Sequence, residues 1–154
     1  MGVYEAKVVW TRGDQPFLDK GYSRAHSWSF DGGAVVPGSS APSSVPVPMS
    51  DPSGVDPEEA MIASLSSCHM LWFLAFAANA GLTVDTYVDE ASGEMGQDDG
   101  DRRYIAKVVL RPRTRFTGRV PSQEELDALH RQAHDRCEMA HSVRATITTI
   151  ATTG

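Results

Sequence analysis

Between Asp56 and Gly81 the chain reads DPEEAMIASLSSCHMLWFLAFAANAG, with apolar positions at helical spacing. Met61, Leu65, Cys68 and Trp72 share one stripe. From Met70 to Ala78 every residue is apolar, which leaves no face for water and predicts a centrally buried helix. Its limits are marked. Asp56 is a good N-cap, Pro57 suits the first helical position, and Glu59 completes a capping box. Asn79 and Gly81 are residue types that end helices in a left-handed turn. The apolar run falls short of the about 20 residues that span a bilayer. Ser64, Ser66, Ser67 and His69 precede it, so a core helix is expected rather than a membrane one.

Strand periodicity appears on both sides of this helix. In 3–11, Tyr4, Ala6, Val8 and Trp10 alternate with polar residues. A loop is expected over 12–20. In 21–30, Tyr22, Arg24, His26, Trp28 and Phe30 share a face, so two polar groups stand among aromatics. That face is either partly exposed or directed into a site. Asp31, Gly32 and Gly33 supply a turn. The segment 37–55 is rich in proline and serine, and six of the nine prolines fall between 37 and 57. A loop this long is functional, disordered or wrapped around something. It does not separate two domains, because only about 35 residues precede it, too few for a core.

After the central helix, 82–90 alternates as a strand, with 91–95 as a possible extension. Gln97–Asp101 forms a turn, and 102–111 returns as a strand that Pro112 ends or turns into an edge. Ser122 and Glu125 then open a second helix, with Leu126, Leu129 or His130, Ala133 and Cys137 on one stripe. The β-branched stretch 143–152 closes the chain. The order β-β-loop-α-β-β-α-β, with paired strands and segregated helices, is α+β with antiparallel sheets.

Composition narrows the class. The chain has 154 residues, 41% hydrophobic and 22% charged, which suits a single domain over 1–154. A net charge of −6 argues against nucleic acid or an anionic membrane surface as partner. The start has no charged-then-apolar leader, so the cytoplasm is the expected compartment. A permanent structural disulfide is uncommon there, although a transient one is allowed.

Two cysteines, Cys68 and Cys137, each lie on the apolar stripe of a helix. Cys68 alone reads as a small core hydrophobe. If the two helices pack together, the thiols meet. A free thiol has a pKa near about 8.5, and burial alone makes it inert. A reactive Cys68 therefore needs a cation. Arg24, on the inward face of its strand, is the best candidate, and Arg12 is also available. A buried guanidinium needs a carboxylate. Glu58 is a candidate, with a helix-dipole role as its ordinary alternative.

The stretch PEEAMIASLSSC, with Glu58 ten residues before Cys68, resembles the signature of the osmotically inducible protein and organic hydroperoxide resistance (OsmC/Ohr) family. AHDRCEMAHSV around Cys137 and YSRAHSWSFDGG around Arg24 resemble it as well. The resemblance implies an intertwined homodimer, with antiparallel sheets wrapped around two cysteine-bearing helices. It implies a thiol peroxidase for organic hydroperoxides that needs no cofactor. Cys68 would be the peroxidatic cysteine, Cys137 the resolving one, Arg24 the arginine and Glu58 the carboxylate holding it. An external dithiol would restore the thiols. The Cys68-His69-Met70 motif and the aromatics around Arg24 and His26 depart from the well-described members, which leaves the choice of peroxide open.

Two other readings compete. His134, Cys137 and His141 would line one face if the second helix continued, and Cys68 or His69 would complete a zinc set. Alternatively the apolar helix and aromatic strand hold a small apolar ligand without any redox cycle. His26, His69 and His130 are otherwise expected to be hydrogen-bonded bystanders.

Overall fold

The computed structural model describes residues 2–154. The chain forms two compact units, Met1–Ala60 and Met61–Gly154.

The first unit is built on an antiparallel sheet of β1 (Ala6–Val9), β2 (His26–Phe30) and β3 (Val35–Gly38). Val8 pairs with Trp28, which pairs with Val36. The expected turn is present, with Gly33 at φ 87°, where only glycine is unstrained. It returns the chain as β3, a strand too short for periodicity to reveal. β2 begins five residues later than the alternating stretch 21–30, after Arg24. The Arg24 N–H instead donates to the Met49 carbonyl at 2.7 Å. Trp10, Phe17 and Tyr22 form an aromatic cluster beside the sheet, with Phe17 and Tyr22 stacked at 4.8 Å between centroids.

The proline-serine segment is folded back on itself and pinned at its neck. The Val55 N–H donates to the Pro37 carbonyl at 2.9 Å, and the Ser39 N–H to the Val55 carbonyl at 3.1 Å. Local turns at Ala41–Val45 and Pro46–Ser50 fill the interior. This is the geometry of an Ω-loop, whose ends are close and whose body is packed by its own residues. Gly38 at the neck is fixed by space: a Cβ there would lie 2.5 Å from His26 Nε2.

The central helix, α1, runs over Pro57–Asn79. Its capping box forms as expected: the Glu59 N–H donates to Asp56 Oδ1 at 2.7 Å, and the Asp56 N–H donates back to Glu59 Oε2 at 3.3 Å. Gly81, at φ 72°, supplies the left-handed stop. Burial departs from expectation. Only Leu65, His69, Phe73 and Ala77 are buried, a single stripe at i, i+4 spacing. Ala63, Ser67, Leu71 and Ala75 are exposed on another stripe, Leu71 at 63%. By length and composition α1 also qualifies as a membrane-crossing helix. Its buried stripe, however, packs against protein and carries a histidine hydrogen-bonded to the second helix.

Two three-stranded sheets make up most of the second unit. One has the order β4 (Thr83–Asp89), β7 (Pro112–Thr117), β9 (Thr152–Thr153); the other has β5 (Ser92–Gln97), β6 (Arg103–Leu110), β8 (Thr146–Thr149). β4–β7 and β5–β6 are antiparallel, the second as the turn at Gln97–Asp101 implies, whereas β8 and β9 join β6 and β7 in parallel. The chain passes from one sheet to the other at Glu90–Ala91, at Arg111 and at Ile150–Ala151. Pro112 therefore starts a strand instead of ending one, and 143–152 is two strands rather than one. The helix α2 (Gln123–Arg136) closes the core through Leu126, Leu129 and Ala133 against Phe73 and Ala77 of α1. Ser122 caps α2, accepting from the Glu125 N–H at 3.2 Å. The reciprocal half of that box is absent, because Arg119 takes the Glu125 carboxylate in a two-pronged ion pair at 2.7 and 3.0 Å.

Candidate functional site

Cys68 is half-buried on α1. Cys137 is fully buried at the junction of α2 with the short helix α3 (Glu138–His141). Cys137 is not inside a helix. Its backbone is extended, at φ −70° and ψ 107°, so the chain kinks at this residue. The kink takes apart the helix face on which the zinc reading rested. His141 Nε2 instead meets the Asp135 carbonyl at 3.0 Å. Among the described residues no group of three or more His, Cys, Asp or Glu converges as a metal ion would require.

The two thiols are in contact. The Cys137 sulfur accepts the Ala140 N–H at 3.3 Å. Burial, and then the contact with Cys68, push the Cys137 thiol up to about 11. It is therefore held protonated at neutral pH.

Glu138 completes this cluster, and the sequence did not suggest it. Its Oε2 lies 3.6 Å from Cys68 Sγ and 3.0 Å from Trp72 Nε1. The Trp72 N–H, together with smaller contributions that include Cys68 and His141, holds the Glu138 carboxyl below the usual range. Cys68 and Trp72 are one helical turn apart, so α1 offers an S–H and an N–H side by side to one oxygen. Adjacency to Cys137 was the only sequence signal for Glu138. Its approach to Cys68 depends on the kink at Cys137, which periodicity does not reveal.

Beneath Cys68, His69 and His130 form a buried pair with Nε2 and Nδ1 at 2.9 Å and rings 6° from parallel. Phe73 stacks on His130, with centroids 4.2 Å apart. Burial, assisted by His134, lowers His69 to about 4; burial, assisted by His69, lowers His130 to about 3. Both rings are neutral at pH 7.

In the first unit, Arg24 and Glu58 line one pocket of about 540 Å³ together with Val8, Trp10, Phe17 and Tyr22. They do not form an ion pair: Arg24 is absent from the salt bridges among the described residues. The guanidinium turns back on its own loop. It donates to the Lys20 carbonyl at 2.7 Å and to the Tyr22 carbonyl, and lies 3.9 Å over the Tyr22 ring. Arg12 is exposed and bonded to the Gln15 carbonyl at 2.8 Å, outside that pocket.

Fold and cluster together define an α+β protein with two thiols in contact, one on a central helix and the other at a helix junction. Residues 50–152 match the family model described as OsmC-like protein. An OsmC-like protein of unknown function from Vibrio cholerae is 43% identical, with a TM-score of 0.95 over 98% of this chain and 99% of that one. The chain belongs to the OsmC-like family. Its fold is shared by an organic hydroperoxide resistance protein OsmC from Legionella pneumophila, at 14% identity and a TM-score of 0.65 over 100% and 98% of the two chains. It is shared too by the organic hydroperoxide resistance protein OhrB of Bacillus subtilis, at 16% identity and a TM-score of 0.59 over 98% of each. No curated protein matches the sequence.

Proposed function

We propose that this protein is a thiol-dependent peroxidase that reduces organic hydroperoxides. The observation that carries this reading is the contact between Cys68 and Cys137, the only two cysteines of the chain. Family membership, with relatives of the same fold named organic hydroperoxide resistance proteins, supports the substrate class.

In the proposed cycle the Cys68 sulfur attacks the outer peroxide oxygen. An S–O bond forms, the O–O bond breaks, and Cys68 becomes a sulfenic acid as an alcohol departs. The Cys137 sulfur then displaces the hydroxyl, giving the Cys68–Cys137 disulfide and water. An external dithiol restores both thiols, becoming a disulfide itself. Arg24 serves as the cation for the attacking sulfur and the departing oxygen, with Glu58 as its carboxylate partner. That role requires the guanidinium to leave the Lys20 and Tyr22 carbonyls. The active species is a homodimer, which the exposed stripe of Leu71 and Ala75 on α1 supports. The cytoplasm, where thiols are kept reduced, is the proposed compartment.

Free thiols counted before and after mixing reduced protein with cumene hydroperoxide test the cycle. Loss of both thiols per chain is expected; unchanged thiols on a catalytic time scale refute it. A second reading has its own observation: the aromatic pocket holding Arg24 is large enough for a small apolar ligand. Ligand binding that survives Cys68→Ser in a protein lacking peroxide turnover would favour it.

A further inference from the structure

We propose that Glu138 is the base that takes the Cys68 proton as the sulfur attacks, and the acid that then delivers it to the leaving oxygen. The inference rests on the peroxidase reading and deepens it. Three observations lead to it. Glu138 Oε2 is within hydrogen-bonding reach of the Cys68 S–H, at 3.6 Å. The same oxygen accepts the Trp72 N–H at 3.0 Å, so an otherwise exposed side chain is anchored at the sulfur. Cys137, the other thiol in contact with Cys68, is protonated at neutral pH, so it is no proton acceptor.

The chemistry balances without a further reactant. Cys68 S–H and a hydroperoxide ROOH give Cys68 S–OH and ROH. The thiol proton passes to the Glu138 carboxylate while the S–O bond forms and the O–O bond breaks, and the strongly basic RO⁻ then recovers it from the carboxylic acid. Loss of the proton during attack is general base catalysis. The titratable groups facing Glu138 are Cys68 on α1 and, near it on its own side, His141.

The test uses a Cys137→Ser background, so that Cys68 is the sole thiol. Glu138→Gln and Glu138→Asp are compared with this parent from about pH 6 to about pH 10. One arm follows sulfenic acid formation with cumene hydroperoxide, and the other follows alkylation by monobromobimane. We expect Glu138→Gln to be at least about ten-fold slower at pH 7 in both arms. The deficit should close as alkali deprotonates the thiol directly, and Glu138→Asp should recover part of the rate. A Gln variant as fast as the parent at pH 7, or a deficit constant across the pH range, overturns the proposal. If the parent reacts with monobromobimane and not with hydroperoxide, the peroxidase reading fails while the alkylation arm still decides the role of Glu138.

Discussion

His69 Nε2 and His130 Nδ1 share one proton across 2.9 Å inside the second unit, with almost no exposure of either ring. Neither ring has room for a second charge. Both pKa values lie below the ordinary 6.5, at about 4 and about 3, first of all through burial. Below pH 6.5 the unfolded chain takes up protons that the folded chain refuses. Stability is thus complete above that pH and falls as the solution is acidified toward pH 4. The slope is about 1.4 kcal/mol per pH unit for each proton involved. Urea denaturation at about pH 7.5 and about pH 5 checks this; equal midpoints would contradict it.

Replacing Cys137, the proposed resolving thiol, separates the two halves of the proposed cycle. In Cys137→Ser, peroxide should consume one thiol rather than two and leave a sulfenic acid at Cys68 that dimedone traps. Mass spectrometry of the adduct reads the outcome directly. Absence of any adduct would show that Cys68 is not the attacking group.

Arg24 and Arg12 are distinguished by their surroundings. Arg24→Ala should lower the rate of peroxide reduction by at least about ten-fold, the scale for losing one preorganised charge. Arg12→Ala should leave it within a factor of about two. Stopped-flow measurement with the two variants settles the assignment, and equal losses would count against Arg24.

Gly38→Ala tests the neck of the Ω-loop. The added methyl would sit 2.5 Å from His26 Nε2 and 2.9 Å from Trp28 Nε1. Overpacking of this kind costs about 1–3 kcal/mol. An unchanged unfolding midpoint would mean that the two rings move aside freely.

Leu71→Asp probes the exposed stripe of α1. A charge at this position should convert the proposed homodimer into monomers, read by light scattering on a sizing column. A dimer of unchanged mass would place the interface elsewhere.

The elements with strong local signals were legible in the sequence. The capping residues Asp56 and Glu59, the stop at Gly81 and the Ser122 cap all act through neighbours a few positions away. Long-range geometry was not legible. The parallel seating of β8 and β9 depends on where the chain crosses between sheets. The central helix read as buried all round because apolarity reports a preference for burial and not the identity of the covering surface. Among the proposed site residues, Cys68 and Cys137 stood out in the sequence by position on apolar stripes. Arg24 and Glu58 line one pocket, but the expected ion pair lost to two nearby carbonyls and an aromatic ring. Glu138 escaped notice because a helix-period reading carried α2 straight through Cys137.

The Ω-loop between Pro37 and Val55 has its fixed points at the neck, while Ser40, Ala41 and Ser44 from its body form part of the wall of the Arg24 pocket. Sequence drift in that body reshapes the wall without altering any strand pairing. The shape of the pocket and the pairing of the sheet are thus set by different residues of one short stretch of chain.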